Sequence, residues 1–379
     1  MNQQANTQGQ PPVVAITGCS GLIGTRLVKE LAPHYRLVGF DVATPDFDVA
    51  DFGGSTFEFI ECDLTDDVKV AEAVEQLREK CGGKLASLVH LAAYYDFSGE
   101  ESPLYDALTV EGTRRLLRSL NEQDLELEQF IFSSSLLVME SAETGGTVDE
   151  DSPVEAEWRY PQSKLSAEKV IRQEHGEIPA VVLRIAGAYD EDCNSLPISQ
   201  QIRRIYKKEM ESRFFPGDKD HGQSFLHLDD LASCVAQTIE RRERLEPYEV
   251  FLIGEEDVMS YEELQEQIGE VLHGEAWPTI RIPKAVAKSG AWAKEKMASS
   301  EEGKPFIKPW MVDLADQNYP VSLKRARERL EWEPEHTLRE TLPVMLQRLQ
   351  DDPRRWYEIN GLPLPDNEEL VSADRSSHA

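Results

Sequence analysis

Thr17-Gly18-Cys19-Ser20-Gly21-Leu22-Ile23-Gly24 is the stretch that decides the fold. It follows Val13-Val-Ala-Ile16, a short β-branched run of the kind that forms a buried parallel strand, and it leads into Leu22–Leu31, which reads as an amphipathic helix. Between a strand and a helix, three spaced glycines have separate uses. Gly18 permits a tight turn, Gly21 lets the backbone approach a phosphate, and Gly24 lets the helix lie close on the strand. A pyrophosphate would rest at the helix N-terminus, where free N–H groups and the helix dipole favour an anion. A second strand, Arg36-Leu-Val-Gly-Phe40, ends at Asp41, near the offset of roughly 20 residues at which a carboxylate meets the adenosine ribose. Glycines alone could mark a merely structural turn; strand, helix and terminal acid in order point to a dinucleotide. Asp41 repels a 2′-phosphate, and Val42, Ala43 and Thr44 bring no cation, so NAD is expected over NADP.

Tyr160-Pro-Gln-Ser-Lys164 comes much later. Its tyrosine and lysine stand at i and i+4, on one face of a helix. A free phenol has a pKa near 10, too high for a base at neutral pH, and a neighbouring ammonium would lower it. Taken alone, the pair could be a surface tyrosine beside a solvated lysine.

These segments resemble the extended short-chain dehydrogenase/reductase family, the NAD-dependent epimerase/dehydratase group, over roughly Val13 to Leu349. Asp63-Leu64 is similar to the family's adenine-contacting pair. Leu88-Val-His-Leu91-Ala92-Ala93 resembles its fourth strand and cofactor-facing turn, and Phe130 to Ser135 its fifth strand, ending in a serine. Leu183-Arg184 and Phe225-Leu-His-Leu-Asp-Asp230 resemble later family motifs. The resemblance implies a Rossmann α/β fold, a doubly wound parallel sheet with a smaller C-terminal substrate-binding part. It also implies NAD as cofactor, held by Gly18, Ser20, Gly21, Leu22, Ile23, Gly24, Asp41, Asp63, Leu64, Leu91, Ala92, Ala93, Tyr160 and Lys164. Ser135, Tyr160 and Lys164 would be catalytic: Tyr160 the general acid/base, Lys164 its cation and ribose ligand, Ser135 a donor to the substrate oxygen. No metal is expected.

Departures from the family pattern bear on the substrate. Thr109 replaces a usual asparagine, Tyr189-Asp190 stands where Tyr-Gly is common, and so does Met139-Glu140. Nucleotide-sugar members carry a diphosphate-clamping arginine where this chain has Gln223. Arg203, Arg204 or Arg213 could substitute, or could be exposed helix charges. The expectation is therefore a hydroxyl or carbonyl on a non-nucleotide alcohol or ketone, as in hydroxysteroid-dehydrogenase-like or flavonol-reductase-like branches. A nucleotide-sugar epimerase or dehydratase is the alternative, and a non-catalytic NAD-binding regulator the alternative of another class. Tyr94-Tyr95-Asp96-Phe97 reads as a pocket wall or as loop packing, and Pro305 to Met311 as a pocket cap or a helix connection.

With 379 residues, the chain divides into an expected disordered tail over 1–11, a cofactor domain over 12–190, a mixed region over 191–365 and a second disordered tail over 366–379. Helices are expected over Ile198–Glu211, Tyr261–Leu272 and Leu323–Leu330. Seventy acidic residues against forty basic give a net charge of −30. Such a surface disfavours nucleic acid and anionic membranes, and suits either a high-salt cytoplasm or an ordinary acidic protein. Five scattered cysteines show no metal spacing and fit a reduced compartment. No secretory signal or membrane span is read, so a cytoplasmic enzyme acting on a small molecule is expected. A homodimer is compatible with the sequence.

Overall fold

The computed structural model describes residues 11–53, 56–297 and 306–364; the two expected tails, apart from Pro11, lie outside these. Seven parallel strands form the central sheet. They are β1 (Val13–Thr17), β2 (Arg36–Asp41), β3 (Phe57–Glu61), β4 (Ser87–His90), β5 (Phe130–Ser135), β6 (Ala180–Ile185) and β7 (Tyr248–Ile253). Their spatial order is β7-β6-β5-β4-β1-β2-β3. The chain builds outward from β1 to β3, then returns to lay β4 on the other edge of β1. The strand order therefore reverses at β1/β4, where such sheets open a crevice for ligands.

Alternation along β1 explains why both faces of the sheet are covered. Val14 and Ile16 join one buried cluster with α1 (Leu22–Leu31) and α6 (Leu228–Glu240). Val13 and Ala15 join another with α2 (Asp67–Cys81), α3 (Glu111–Glu122) and α4 (Arg159–Glu174). A strand buried on both faces must read as a continuous apolar run, and β1 does.

The first helix expected from sequence forms over the same residues, and its register is set by glycines. Gly18 has φ +73°, and a Cβ there would lie 3.0 Å from the Ala92 backbone nitrogen. At Gly24 a Cβ would stand 2.2 Å from the Gly18 carbonyl oxygen and 2.7 Å from Cys19 Cα. Only the absence of a side chain lets α1 start this close to the strand it follows.

A third apolar cluster lies in the later part of the chain. It gathers α5 (Leu196–Tyr206), α7 (Tyr261–His273) and two later helices, Leu338–Asp351 and Pro353–Ile359, around Trp277, Trp356 and Tyr357. The helix expected over Ile198–Glu211 ends early, at Tyr206, and a separate 3₁₀ turn covers Met210–Arg213. Lys208 in the link has φ +53°, so the helix cannot run through it. The expected closing helix appears over Lys324–Leu330. Among the described residues no helix is long and apolar enough to cross a membrane.

Gly24→Ala should lower the melting temperature and weaken NAD binding about tenfold or more, since overpacking here costs roughly 1–3 kcal/mol and tilts the helix that receives the phosphate. Thermal unfolding and calorimetry check this; unchanged NAD affinity would separate the close approach from binding.

Candidate active site

A cleft of about 440 Å³ opens over the C-terminal ends of the strands, lined by the Gly18–Gly24 turn, Leu91, Ala93, Ser133 to Ser135, Tyr160 and Lys164. The turn fits a pyrophosphate. Gly21 is the N-cap of α1, no side chain caps that end, and its first turn carries no acid. A Cβ on Gly21 would meet only the Gly18 carbonyl oxygen, at 3.5 Å, so this backbone stays open towards the cleft. Free N–H groups at an uncapped helix start are a ready anion site.

Asp41 closes the other side of the turn. Its carboxylate accepts from the Ser20 N–H at 3.0 Å and the Val42 N–H at 2.8 Å. The Ser20 hydroxyl donates to the Ala43 carbonyl at 2.6 Å, away from the carboxylate. Asp63 is held by the backbone and hydroxyl of Thr65, and these bonds keep its carboxyl below the usual range. Leu64 is buried, whereas Leu22 is exposed and Ile23 half-buried on the cleft side. Cys19 lies buried beneath the turn, and burial pushes its thiol up to about 11, so it carries no thiolate at neutral pH.

At the far end of the cleft, α4 presents Tyr160 and Lys164 towards β5. The Ser135 hydroxyl accepts from the Leu137 N–H at 3.2 Å and hydrogen-bonds the Tyr160 phenol. Burial raises the phenol above its ordinary value, and the Ser135 bond opposes this. The Lys164 ammonium donates to the Ser133 carbonyl at 2.6 Å and lies 5.9 Å from the Tyr160 ring centre. Burial brings its pKa down to about 7, with Glu168 pulling the other way. The three residues nominated as catalytic from sequence thus meet at one spot beside the phosphate-binding turn.

Thr109 shows how this chain manages without the asparagine. It lies in the π-helical turn Tyr105–Val110, which packs on α4. Its hydroxyl accepts from the Tyr94 N–H at 3.0 Å, and its carbonyl accepts from the Thr113 hydroxyl at 2.6 Å. Thr113 in turn meets His90 Nε2 at 3.0 Å, and His90 Nδ1 meets the Thr17 hydroxyl at 2.7 Å. Thr113 gives its one hydroxyl proton to the Thr109 carbonyl, so it accepts from His90 Nε2–H, which leaves Nδ1 of the neutral ring to accept from Thr17; the Thr17 oxygen also accepts from the Ala92 N–H at 3.3 Å. Burial drives the His90 pKa down to about 3, consistent with a neutral ring. One directed relay therefore joins the glycine turn to the Tyr94 segment.

That segment forms a wall. Tyr95 stands edge-on to Tyr160 with ring centres 4.8 Å apart, and Phe97 packs on Trp158 at 5.4 Å. Trp158 packs on Trp310 at 5.2 Å, and the Trp310 indole donates to the Ser98 carbonyl at 3.4 Å. Of the stretch expected to cap the pocket or join helices, Phe306, Ile307, Trp310 and Met311 line a second cavity; Pro305 lies outside the described residues. This outer cavity, about 310 Å³, shares Phe97, Leu137, Gln223 and Phe225 with the cleft. Among the described residues, Arg204 is the one arginine or lysine that lines it. Arg203 pairs with Glu209 at 3.4 Å and Arg213 lies over the Trp277 ring at 4.5 Å, while Arg204 donates from Nε to the Gln200 carbonyl at 3.3 Å and meets Tyr261.

A model of the NAD dependent epimerase/dehydratase family matches residues 14–254. No curated protein matches the sequence. Solved structures share the fold at low identity. A putative epimerase from Burkholderia cenocepacia is 19% identical, with TM-score 0.66, covering 90% of this chain and 99% of its own. MoeE5, solved with UDP-glucose and NAD, is 21% identical at TM-score 0.65, covering 90% and 99%. The UDP-glucuronic acid 4-epimerase from Bacillus cereus, solved with UDP-glucuronic acid and NAD, is 19% identical at TM-score 0.63, covering 89% and 99%.

Two outcomes follow from this geometry. Calorimetry should find NAD bound more tightly than NADP; equal affinity would mean Asp41 does not face the ribose. Lys164 has its folded pKa below the unfolded value, so the folded protein pays for this charge below about pH 7. Above that pH the unfolded chain binds the extra proton and stability rises. Lys164→Met should therefore stabilise the cofactor-free protein most at neutral and acidic pH, and the gain should fade as pH approaches the ordinary lysine value. A gain independent of pH would contradict the assignment.

Proposed function

Since the chain belongs to the NAD-dependent epimerase/dehydratase family, we propose that it is an enzyme acting at a hydroxyl-bearing carbon of a nucleotide sugar, with Tyr160 as general acid/base. The observation that carries this reading is the outer cavity: it continues the cleft and, among the described residues, is lined by one cation, Arg204, able to meet a diphosphate. Gln223 alone favours a substrate without a diphosphate. Arg204 supplies from α5 the charge that Gln223 lacks, which supports the nucleotide-sugar alternative over the non-nucleotide substrate first expected. The likeness to MoeE5 and to the Bacillus cereus epimerase, both solved with UDP-linked ligands, supports the same choice.

Bound NAD supplies a hydride acceptor beside the substrate carbon. The chain's own residues handle the proton. Tyr160 takes it from the substrate hydroxyl as the carbonyl forms and returns it on reduction. Ser135 donates to the same oxygen and stabilises its developing charge. Lys164, fixed on the Ser133 carbonyl, places positive charge near the phenol and favours the phenolate that burial opposes. The wall of Tyr95, Phe97 and Trp158 keeps water from the reacting carbon.

A second reading has its own observation. The aromatic wall and Gln223 would equally suit an apolar alcohol or ketone such as a hydroxysteroid.

Tyr160→Phe should abolish turnover and change NAD affinity by no more than about twofold, because only the proton-transfer group is lost; substantial remaining activity would remove Tyr160 from the mechanism. For the substrate, titration with UDP, UDP-glucose and a hydroxysteroid decides. Micromolar UDP binding is expected, weakened about ten- to hundred-fold in Arg204→Ala and strengthened in Gln223→Arg, as for one charge-assisted hydrogen bond of roughly 1.5–3 kcal/mol. Absent UDP binding together with hydroxysteroid turnover would establish the second reading instead.

A further inference from the structure

The face of α4 that carries Tyr160 and Lys164 continues one turn further to Glu168, which is 4% exposed. Its carboxylate is bound from two strands. Oε1 accepts from the Ser134 hydroxyl at 2.5 Å and from Arg184 Nε at 3.1 Å, and Oε2 accepts from Arg184 Nη2 at 2.8 Å. Ser134 belongs to β5 and Arg184 to β6, so one buried carboxylate ties the helix to both. The neighbours of Ser134 are the groups that face the pair: the Ser133 carbonyl receives Lys164, and the Ser135 hydroxyl meets Tyr160.

We propose that Glu168 is the positioning residue of the Tyr160–Lys164 pair: it locks the serine strand onto the helix through Ser134 and Arg184 and is the anion that Lys164 faces. Lys164, Glu168 and Arg184 then form a buried row of plus, minus and plus; His90 on β4 and Tyr160 on α4 are the other titratable groups beside Lys164, and burial keeps both neutral. A carboxylate one helical turn from a buried ammonium opposes the desolvation that would neutralise it. Arg184 holds both oxygens of that carboxylate, so it satisfies Glu168 and also shares its charge with Lys164. Geometry and charge state are thereby set by one side chain that touches neither substrate nor cofactor.

The proposal rests on the reading of Lys164 as part of the site, but it is testable without turnover. Removing either partner of a buried ion pair destabilises a protein, so loss of stability alone decides nothing. The sign of the change at Lys164 does. Glu168→Gln withdraws the anion and should let Lys164 lose its proton at lower pH, by about one unit or more. Arg184→Gln leaves the whole carboxylate charge to Lys164 and should move the titration upward. Glu168→Asp should fall between wild type and Glu168→Gln. Competitive acetylation of the full-length protein with acetic anhydride, followed by peptide mass spectrometry, reads the titration of Lys164 directly. Opposite shifts in the two variants support the proposal; shifts of the same sign, or none, overturn it. If Glu168→Gln does not fold, Arg184→Gln decides by itself: an unchanged or lowered midpoint overturns the proposal. A parallel NADH titration across pH distinguishes the underlying reading. If acetylation midpoints move as expected while NADH affinity ignores them, Glu168 sets Lys164 but Lys164 does not hold the cofactor.

Discussion

A methyl group on Gly24 would lie 2.2 Å from the Gly18 carbonyl oxygen, and this exclusion of side chains lets α1 begin directly over the end of β1. Much of the site follows from that contact. It brings the uncapped helix start to the crevice, where β1 and β4 diverge in connection. It also brings Gly18 against Ala92, so the turn after β4 has to leave along the cleft, carrying Tyr94, Tyr95 and Phe97 towards α4. The relay from Thr17 through His90 and Thr113 to Thr109 then fixes that path with hydrogen bonds made through a His90 ring that burial keeps neutral.

The second requirement is electrostatic. An ammonium and a phenol sunk together are each driven by burial towards the neutral form, Lys164 downward and Tyr160 upward. A proton shuttle needs the reverse tendency, so the site must supply charge to counter burial. In the proposed arrangement Glu168 supplies it for Lys164, and the positive nicotinamide of oxidised NAD would supply it for Tyr160. Arg204 brings a positive charge to the outer cavity, where Gln223 brings none.

What was legible in the sequence was local in it. The glycine turn, the apolar run of β1, the acid ending β2 and the Tyr-Lys spacing each lie within a few residues, and their periodicity and turn chemistry can be read directly. The role of Glu168 was not legible, since its partners Ser134 and Arg184 are distant in the chain and meet it only when α4 packs on β5 and β6. The exposed-charge reading of Arg204 failed to settle its place for the same reason: the cavity it faces is assembled from segments between Phe97 and Gln317. Thr109 was visible as a departure, but not as a hydrogen-bond acceptor for Tyr94, because that bond depends on the π-helical turn.

The central claim is that Tyr160, Lys164 and Ser135 surround a carbon that exchanges a hydride with NAD. Stopped-flow absorbance of the NAD-loaded protein mixed with UDP-sugars measures this most directly. The account predicts a transient reduced-nicotinamide signal in the unmodified protein and none in Tyr160→Phe. Product formation without reduced nicotinamide at any time, or the same transient in both proteins, would contradict it.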